Sequence, residues 1–146
     1  MFRGRHDHTI DVKGRVSIPA GFRMEIQRRS EKPPVITNDK DCLALYPYED
    51  WVAFEERLVK ASQLQPEVQA VTRFFVSNAE DAPIDSQGRI LIPKHLRNHA
   101  SLERQVTVAG MGSRIEIWDT HALEQELART YDRLDEYRVV VASLDK

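Results

Sequence analysis

The segment DVKGRVSIPAGFR at residues 11–23 recurs as DSQGRILIPKHLR at residues 85–97, an offset of 74 (85 − 11). Asp11/Asp85, Gly14/Gly88, Arg15/Arg89, Ile18/Ile92, Pro19/Pro93 and Arg23/Arg97 coincide, and isoleucine precedes each copy, Ile10 and Ile84. A repeat of this kind constrains the fold more than any other feature, because both copies must satisfy the same local structure. In a chain of 146 residues, each half alone is near the size that struggles to bury a sufficient core. The expectation is that the two halves share one core, or that repeats of different chains do.

Within the first copy, Val16 and Ile18 alternate with Arg15 and Ser17, the period of a half-buried strand. Gly14 supplies the positive φ of a short turn, and Asp11 can accept hydrogen bonds from turn amides. Pro19 has no N–H for a ladder and suits a helix start. A short helix follows, with Phe22 and Ile26 inward and Arg23 nearer solvent. The second copy reads alike: Ile84, Ile90 and Ile92 on strands, Pro93 at the helix start, Leu96 inward and Arg97 outward. Each unit is thus expected to be a β-hairpin followed by a short helix, with an arginine at the end of a tight turn.

The likeness of the halves extends further. Residues 42–46 (CLALY) and 114–118 (RIEIW) are strand-like runs ending in an aromatic. Helical patterns follow both, carrying Trp51, Phe54 and Leu58 after the first and Leu123, Leu127, Tyr131 and Leu134 after the second. Asp119 is a candidate N-cap. Two helices at 48–61 and 66–76 are expected to connect the halves, the second with a buried stripe of Val68, Val71 and Phe75. The expected divisions are 1–50, 51–78, 79–122 and 123–146.

Charge separates along the chain. Residues 1–30 hold seven Lys/Arg against three Asp/Glu, a balance of +4, so the remainder carries −6 of the net −2. The stretch 84–104 is basic again, with Arg89, Lys94, Arg97 and Arg104 against Asp85 and Glu103. Two basic repeat units on an otherwise acidic body suit a particle that turns one face to an anionic partner. No apolar run reaches membrane length, and the charged start MFRGRH is not followed by a hydrophobic segment, so neither a membrane span nor a signal peptide is expected. The single cysteine, Cys42, fits a reducing cytosol and reads as a buried small residue.

The start MFRG, the DVKGRVSIP unit, Leu45-Tyr46-Pro47 with Trp51, the second unit DSQGRILIP and the run IEIW at 115–118 together resemble the MraZ family of bacterial regulators. The Asp-x-x-Gly-Arg-x-x-Ile-Pro unit alone is the wider AbrB-type signature. The resemblance implies an α+β fold of tandem AbrB-like swapped-hairpin β-barrel units with flanking helices, and ring-like homo-oligomers. It also implies binding to double-stranded DNA at direct repeats in a promoter, that of the cell-division and cell-wall cluster containing the protein's own gene. A cytoplasmic, nucleoid-associated location goes with it. Two features depart from the family pattern: Gly21 within the first short helix, and the acidic stretch 37–41.

Carried onto this chain, the Asp and Arg of the motif fall on Asp11 and Arg15, and on Asp85 and Arg89. The arginine after the short helix falls on Arg23 and Arg97. An arginine fork can donate to O6 and N7 of one guanine, worth roughly 1–3 kcal/mol of discrimination, and a two-stranded ribbon is narrow enough for the major groove. Arg15 and Arg89 are therefore expected to read bases, with Asp11 and Asp85 fixing their rotamers. Arg3, Arg5, Lys13, Arg23, Lys94 and Arg97 are expected to contact phosphates. The bland alternative makes each Asp–Arg pair an exposed turn clamp of small energetic consequence.

Catalysis finds little support. No Ser or Cys nucleophile is paired with a His in the repeat, Ser17 being Leu91 in the second copy, and no Gly-rich phosphate loop is present. No cofactor or small-molecule substrate is expected. His6 with His8, and His95 with His99, have spacings at which two metal ligands share a strand or helix face; surface polar residues near DNA are the simpler reading. The competing functional class is a protein-interaction module of antitoxin type gripping a partner through the C-terminal segment. Two complete repeat units and a helical second half argue against it.

Overall fold

Both repeats fold as turn, short strand and proline-started helix in the computed structural model, which describes residues 1–145. In chain order the elements are β1 (Arg5–Thr9), β2 (Arg15–Ser17), α1 (Ala20–Arg29), β3 (Val35–Asn38), β4 (Leu43–Tyr46), α2 (Tyr48–Lys60), α3 (Pro66–Val76), β5 (Glu80–Asp81), β6 (Arg89–Leu91), α4 (Lys94–His99), β7 (Gln105–Met111), β8 (Arg114–Asp119), α5 (Thr120–Asp132) and α6 (Leu134–Ser143). The fold is mixed α+β, with six strands in one antiparallel sheet of order β1-β7-β8-β4-β3-β5 and the remaining two, β2 and β6, paired in a separate ribbon. That order is symmetric about the β8–β4 junction, and each half sends its edge strand to the other half: β1 pairs β7, and β5 pairs β3.

This pairing differs from a hairpin closed within each repeat. The turn forms, but its flanking strands part, β1 into the large sheet and β2 into the ribbon with β6. In that ribbon Val16 opposes Ile90, with Arg15 opposite Leu91 and Ser17 opposite Arg89. The physical reason is core size. Val16 and Ile90 are almost fully buried, as are Ile18 and Ile92, and they join Leu43, Leu45, Val106, Val108, Ile115 and Ile117 in one cluster drawn from both halves. Each such side chain contributes about 1.5–3 kcal/mol when fully buried, and a half that closed on itself would bury fewer of them. One shared core within the chain is thus what forms.

The proline-started helices sit where the sequence places them. Pro19 and Pro93 occupy N-caps, one position ahead of the first helical residue, and their carbonyls accept the Arg23 and Arg97 backbone N–H groups. α1 buries Phe22 and Ile26, and α4 buries Leu96. The connecting helices α2 and α3 match the expected spans, and Asp119 caps α5 by accepting from Ala122 N at 3.0 Å. Two details differ. In α3 no residue of the expected stripe is buried: Val71 is exposed and Val68 and Phe75 are half-buried, as is Thr72, while the Thr37 hydroxyl donates to Phe75 O at 2.7 Å and anchors the helix end to β3. In α5 only Leu123 is buried; Leu127 and Tyr131 face outward, and the helix breaks at Arg133 before α6. Among the described residues, no helix is long and apolar enough to cross a membrane.

Candidate nucleic-acid interface

The turn at 11–15 is built by its own side chain. Gly14, at φ +93°, donates its N–H to Asp11 O, and Asp11 N–H donates to Arg15 O. Asp11 Oδ1 then accepts the amides of Lys13 and Arg15 at 3.0 and 2.9 Å, and Oδ2 accepts Arg15 Nε at 2.8 Å. The second turn repeats this: Gly88 at φ +79°, Asp85 Oδ1 accepting from Gln87 and Arg89 amides at 2.9 Å, and Oδ2 accepting Arg89 Nε at 3.2 Å. The Arg15 amide, then its guanidinium, pull the Asp11 carboxyl down to about 2. The Arg89 amide chiefly does the same in direction for Asp85. Both aspartates are therefore ionised acceptors at neutral pH, fixing each arginine through its Nε.

Because β2 and β6 pair antiparallel, with Arg15 opposite Leu91 and Ser17 opposite Arg89, the two turns lie at opposite ends of the short ribbon, with Arg15 and Arg89 at diagonal positions. Arg89 Nη1 reaches to 3.9 Å from Asp11 Oδ2, so the four charged residues form one group. Arg15 and Arg89 keep 34% and 25% of their side-chain surface, enough to be reached by a partner. Beside them Lys13 is exposed at the first turn's tip, and Lys94 is exposed at the start of α4.

The other basic residues are placed differently. Arg23 and Arg97 are half-buried, each donating to a backbone carbonyl, Ile18 O and Ile92 O, at 3.0 Å. Arg3 is exposed on a segment whose backbone packs on Gly110. Arg5 opposes Ala109 on β7 and lines a cleft with Trp118 and Leu123, on the sheet face opposite the core and the β2–β6 ribbon. The sequence grouped Arg5 with the turns because it is near them in the chain; the strand alternation carries it to the other face.

The histidine pairs are separated by their partners. His6 packs edge-on against Phe22. Burial, and then the nearby His6, lower the His8 pKa, and its Nε2 has no hydrogen-bond partner among the described residues. His95 lies 3.5 Å from Glu80, whereas His99 Nε2 contacts Asp39 O at 2.6 Å. A group that sequence reasoning missed lies in the cleft behind β8: Asp39, Cys42 and Glu116, with ligating atoms within 4.8 Å of one another. Glu116 alternates outward between Ile115 and Ile117, which was the available signal. Arg114 lies 4.0 Å from Asp39 and 3.3 Å from Glu116, and burial pushes the Cys42 thiol up, so the group is an ion-paired cluster around a neutral thiol.

Comparison with known proteins agrees with this architecture of doubled units. The family described as "MraZ protein, putative antitoxin-like" matches twice, over residues 1–74 and 75–136. A protein of Caldanaerobacter subterraneus subsp. tengcongensis named transcriptional regulator MraZ is 42% identical over 126 residues, covering 86% of this chain and 85% of that protein. Proteins of the same name from Syntrophobacter fumaroxidans and Desulfitobacterium hafniense are 44% and 40% identical, covering 81% and 99% of this chain and 79% and 96% of their own lengths. With both repeats matched and relatives aligned over most of their length, this chain belongs to the MraZ family, a family of transcriptional regulators and not of enzymes.

Proposed function

We propose that this protein is a sequence-specific DNA-binding transcriptional regulator that recognises direct repeats in a promoter, that of its own cell-division and cell-wall gene cluster, through Arg15 and Arg89. One observation carries the reading: two Asp-clamped arginines stand at diagonal positions on a narrow two-stranded ribbon, each with part of its side chain accessible. Asp11 and Asp85 orient the forks; Lys13, Lys94 and Arg3, all exposed, supply phosphate contacts that set register. Arg5 reaches phosphate only where DNA or a neighbouring subunit wraps the edge of β1. The crossed pairing of β1 with β7 and β5 with β3 supports the AbrB-like swapped-hairpin arrangement, formed here between halves of one chain.

A ring-like homo-oligomer follows from the same reading. Several weak hairpin sites linked in one particle gain avidity when DNA elements match their spacing. Exposed Val139, Val140, Val141 and Leu144 at the C-terminal end provide an apolar surface for subunit contacts. The protein then resides in the cytoplasm, on the nucleoid. The test is fluorescence anisotropy on a duplex from upstream of the gene against a scrambled duplex, across a salt series, with wild type, Arg15→Ala and Arg89→Ala. Salt-steep binding that prefers the native duplex and is lost in the variants, with assembly unchanged, supports the reading. Equal binding to scrambled DNA reduces the site to a generic basic surface, and no binding at moderate salt by an intact oligomer favours an antitoxin-type interaction module.

A further inference from the structure

Arg23 and Arg97 each bond to their own half and touch the turn of the other. Gly14 O accepts from Ile92 N–H at 2.8 Å, and Gly88 O accepts from Ile18 N–H at 2.9 Å, so each turn is tied to the strand end of the opposite half. The carbonyls of the same two isoleucines take the guanidinium groups, Ile18 O from Arg23 Nη1 and Ile92 O from Arg97 Nε. Each guanidinium also lies over the opposite turn's glycine. A Cβ built on Gly14 would stand 2.8 Å from Arg97 Cζ and Nε, and one built on Gly88 would overlap Arg23 Nη1. The links run from helix arginine to isoleucine within one half, and from that isoleucine and the guanidinium itself to the turn glycine of the other half, where the Asp–Arg clamp begins.

We propose that Arg23 and Arg97 are positioning residues that act on the opposite half: Arg23 holds the turn carrying Arg89, and Arg97 holds the turn carrying Arg15. This rests on the reading of Arg15 and Arg89 as base contacts. The first turn's tip is solvent-facing, with Val12 98% exposed, so its aim is set from below, by the turn's own hydrogen bonds, the clamp and the brace. A recognition group must be held to within about 0.5 Å to select one base over another. The absence of a Cβ on Gly14 and Gly88 is what admits a flat guanidinium over the turn. A lysine ammonium cannot replace it, being a compact, strongly hydrated point charge without a planar fork.

A phosphate contact at these positions makes a different forecast. Removing one lowers the slope of log K against log salt by about 1 and leaves base discrimination intact. The experiment uses full-length Arg23→Lys and Arg97→Lys, alone and combined with Arg15→Ala or Arg89→Ala. Binding is measured to the upstream duplex and to copies with single guanine substitutions, across salt. The brace predicts that Arg23→Lys lowers discrimination by about tenfold, the scale of one guanine contact, with the salt slope unchanged. That loss should vanish in the Arg89→Ala background and persist in Arg15→Ala; Arg97→Lys should show the reverse. Hydrogen exchange read by mass spectrometry should rise at 85–89 in Arg23→Lys and at 11–15 in Arg97→Lys. A slope reduced by about 1 with discrimination kept, coupling within the same half, or exchange rising in the same half's turn, overturns the brace. If Arg15→Ala and Arg89→Ala leave discrimination intact, the DNA reading fails, and the exchange pattern still decides the brace. Where Arg23→Lys does not fold, Arg23→Gln, which keeps an N–H donor for Ile18 O, enters the same cycle.

Discussion

In the first turn Arg15 Nε lies 2.8 Å from Asp11 Oδ2; in the second, Arg89 Nε lies 3.2 Å from Asp85 Oδ2. Asp11 is also approached by Arg89 across the ribbon, and among the described residues Asp85 has no matching ion pair with Arg15. The tips differ as well: Lys13 in one, Gln87 in the other, and Ser17 against an exposed Leu91 on the outward strand positions. What the turns share is what builds them: the carboxylate that gathers amides, the glycine at positive φ, the arginine and the proline. What they do not share lies partly outward, at Lys13/Gln87 and Ser17/Leu91, and partly in the core, at Val16/Ile90 and Phe22/Leu96. The repeat therefore keeps the residues that build its turn and varies those at the turn tip.

The largest expected effects break both units at once in turn. Arg15→Ala and Arg89→Ala should each remove roughly 1–3 kcal/mol of discrimination at one base position, seen in anisotropy against single-substituted duplexes. Next comes the carboxylate. Asp11→Asn should weaken specific binding several-fold and more than Asp85→Asn, because Asp11 serves two guanidinium groups; equal losses would mean that the asymmetry carries no function. Acid gives the same contrast. The Asp11 carboxyl titrates at about 2 in the fold against an ordinary 3.8, so its contribution is complete above 3.8 and is lost as pH falls toward 2. Asp11→Asn should flatten that part of the acid unfolding profile. A smaller effect exchanges the tips. Gln87→Lys should steepen the salt dependence by about 1 and Lys13→Gln should reduce it by about 1, with base preference unchanged in both.

Much of this was legible in the chain. The repeat, the proline-started helices, the α2 and α3 spans and the Asp119 cap follow from local rules that act over a few residues. Strand partners do not: alternation at Val16 and Ile18 says which face is buried and not which strand lies alongside, so the pairing of β1 with β7 and of β5 with β3 within one chain appeared only in the structure. Periodicity likewise aligned Leu127 and Tyr131 with Leu123 but could not say that the other described residues leave them exposed. Arg23 was placed toward solvent on helical spacing, yet its guanidinium meets Gly88, 65 positions away (88 − 23). Contacts of that separation are set by the pairing of the halves, and the pairing is set by the size of the core.

The smallest expected effect asks whether the first unit's short helix was left weak for a reason. Gly21 lies in the first turn of α1, exposed, and a Cβ built there meets nothing within 4 Å. Its counterpart in α4 is His95, a residue with a side chain at the same step. Alanine at 21 restricts the unfolded chain and fits the helix, so Gly21→Ala should stabilise the protein by up to about 1 kcal/mol, read as a higher midpoint in urea with an unchanged m-value. Because Arg23 follows two residues later, the same variant stiffens the helix turn that carries it. If stability rises and base discrimination holds, the glycine is a local weakness without consequence for recognition. If stability rises and discrimination falls, the first helix needs its looseness to let Arg23 settle over the opposite turn, and the two halves differ in how their arginines are held as well as in what they read.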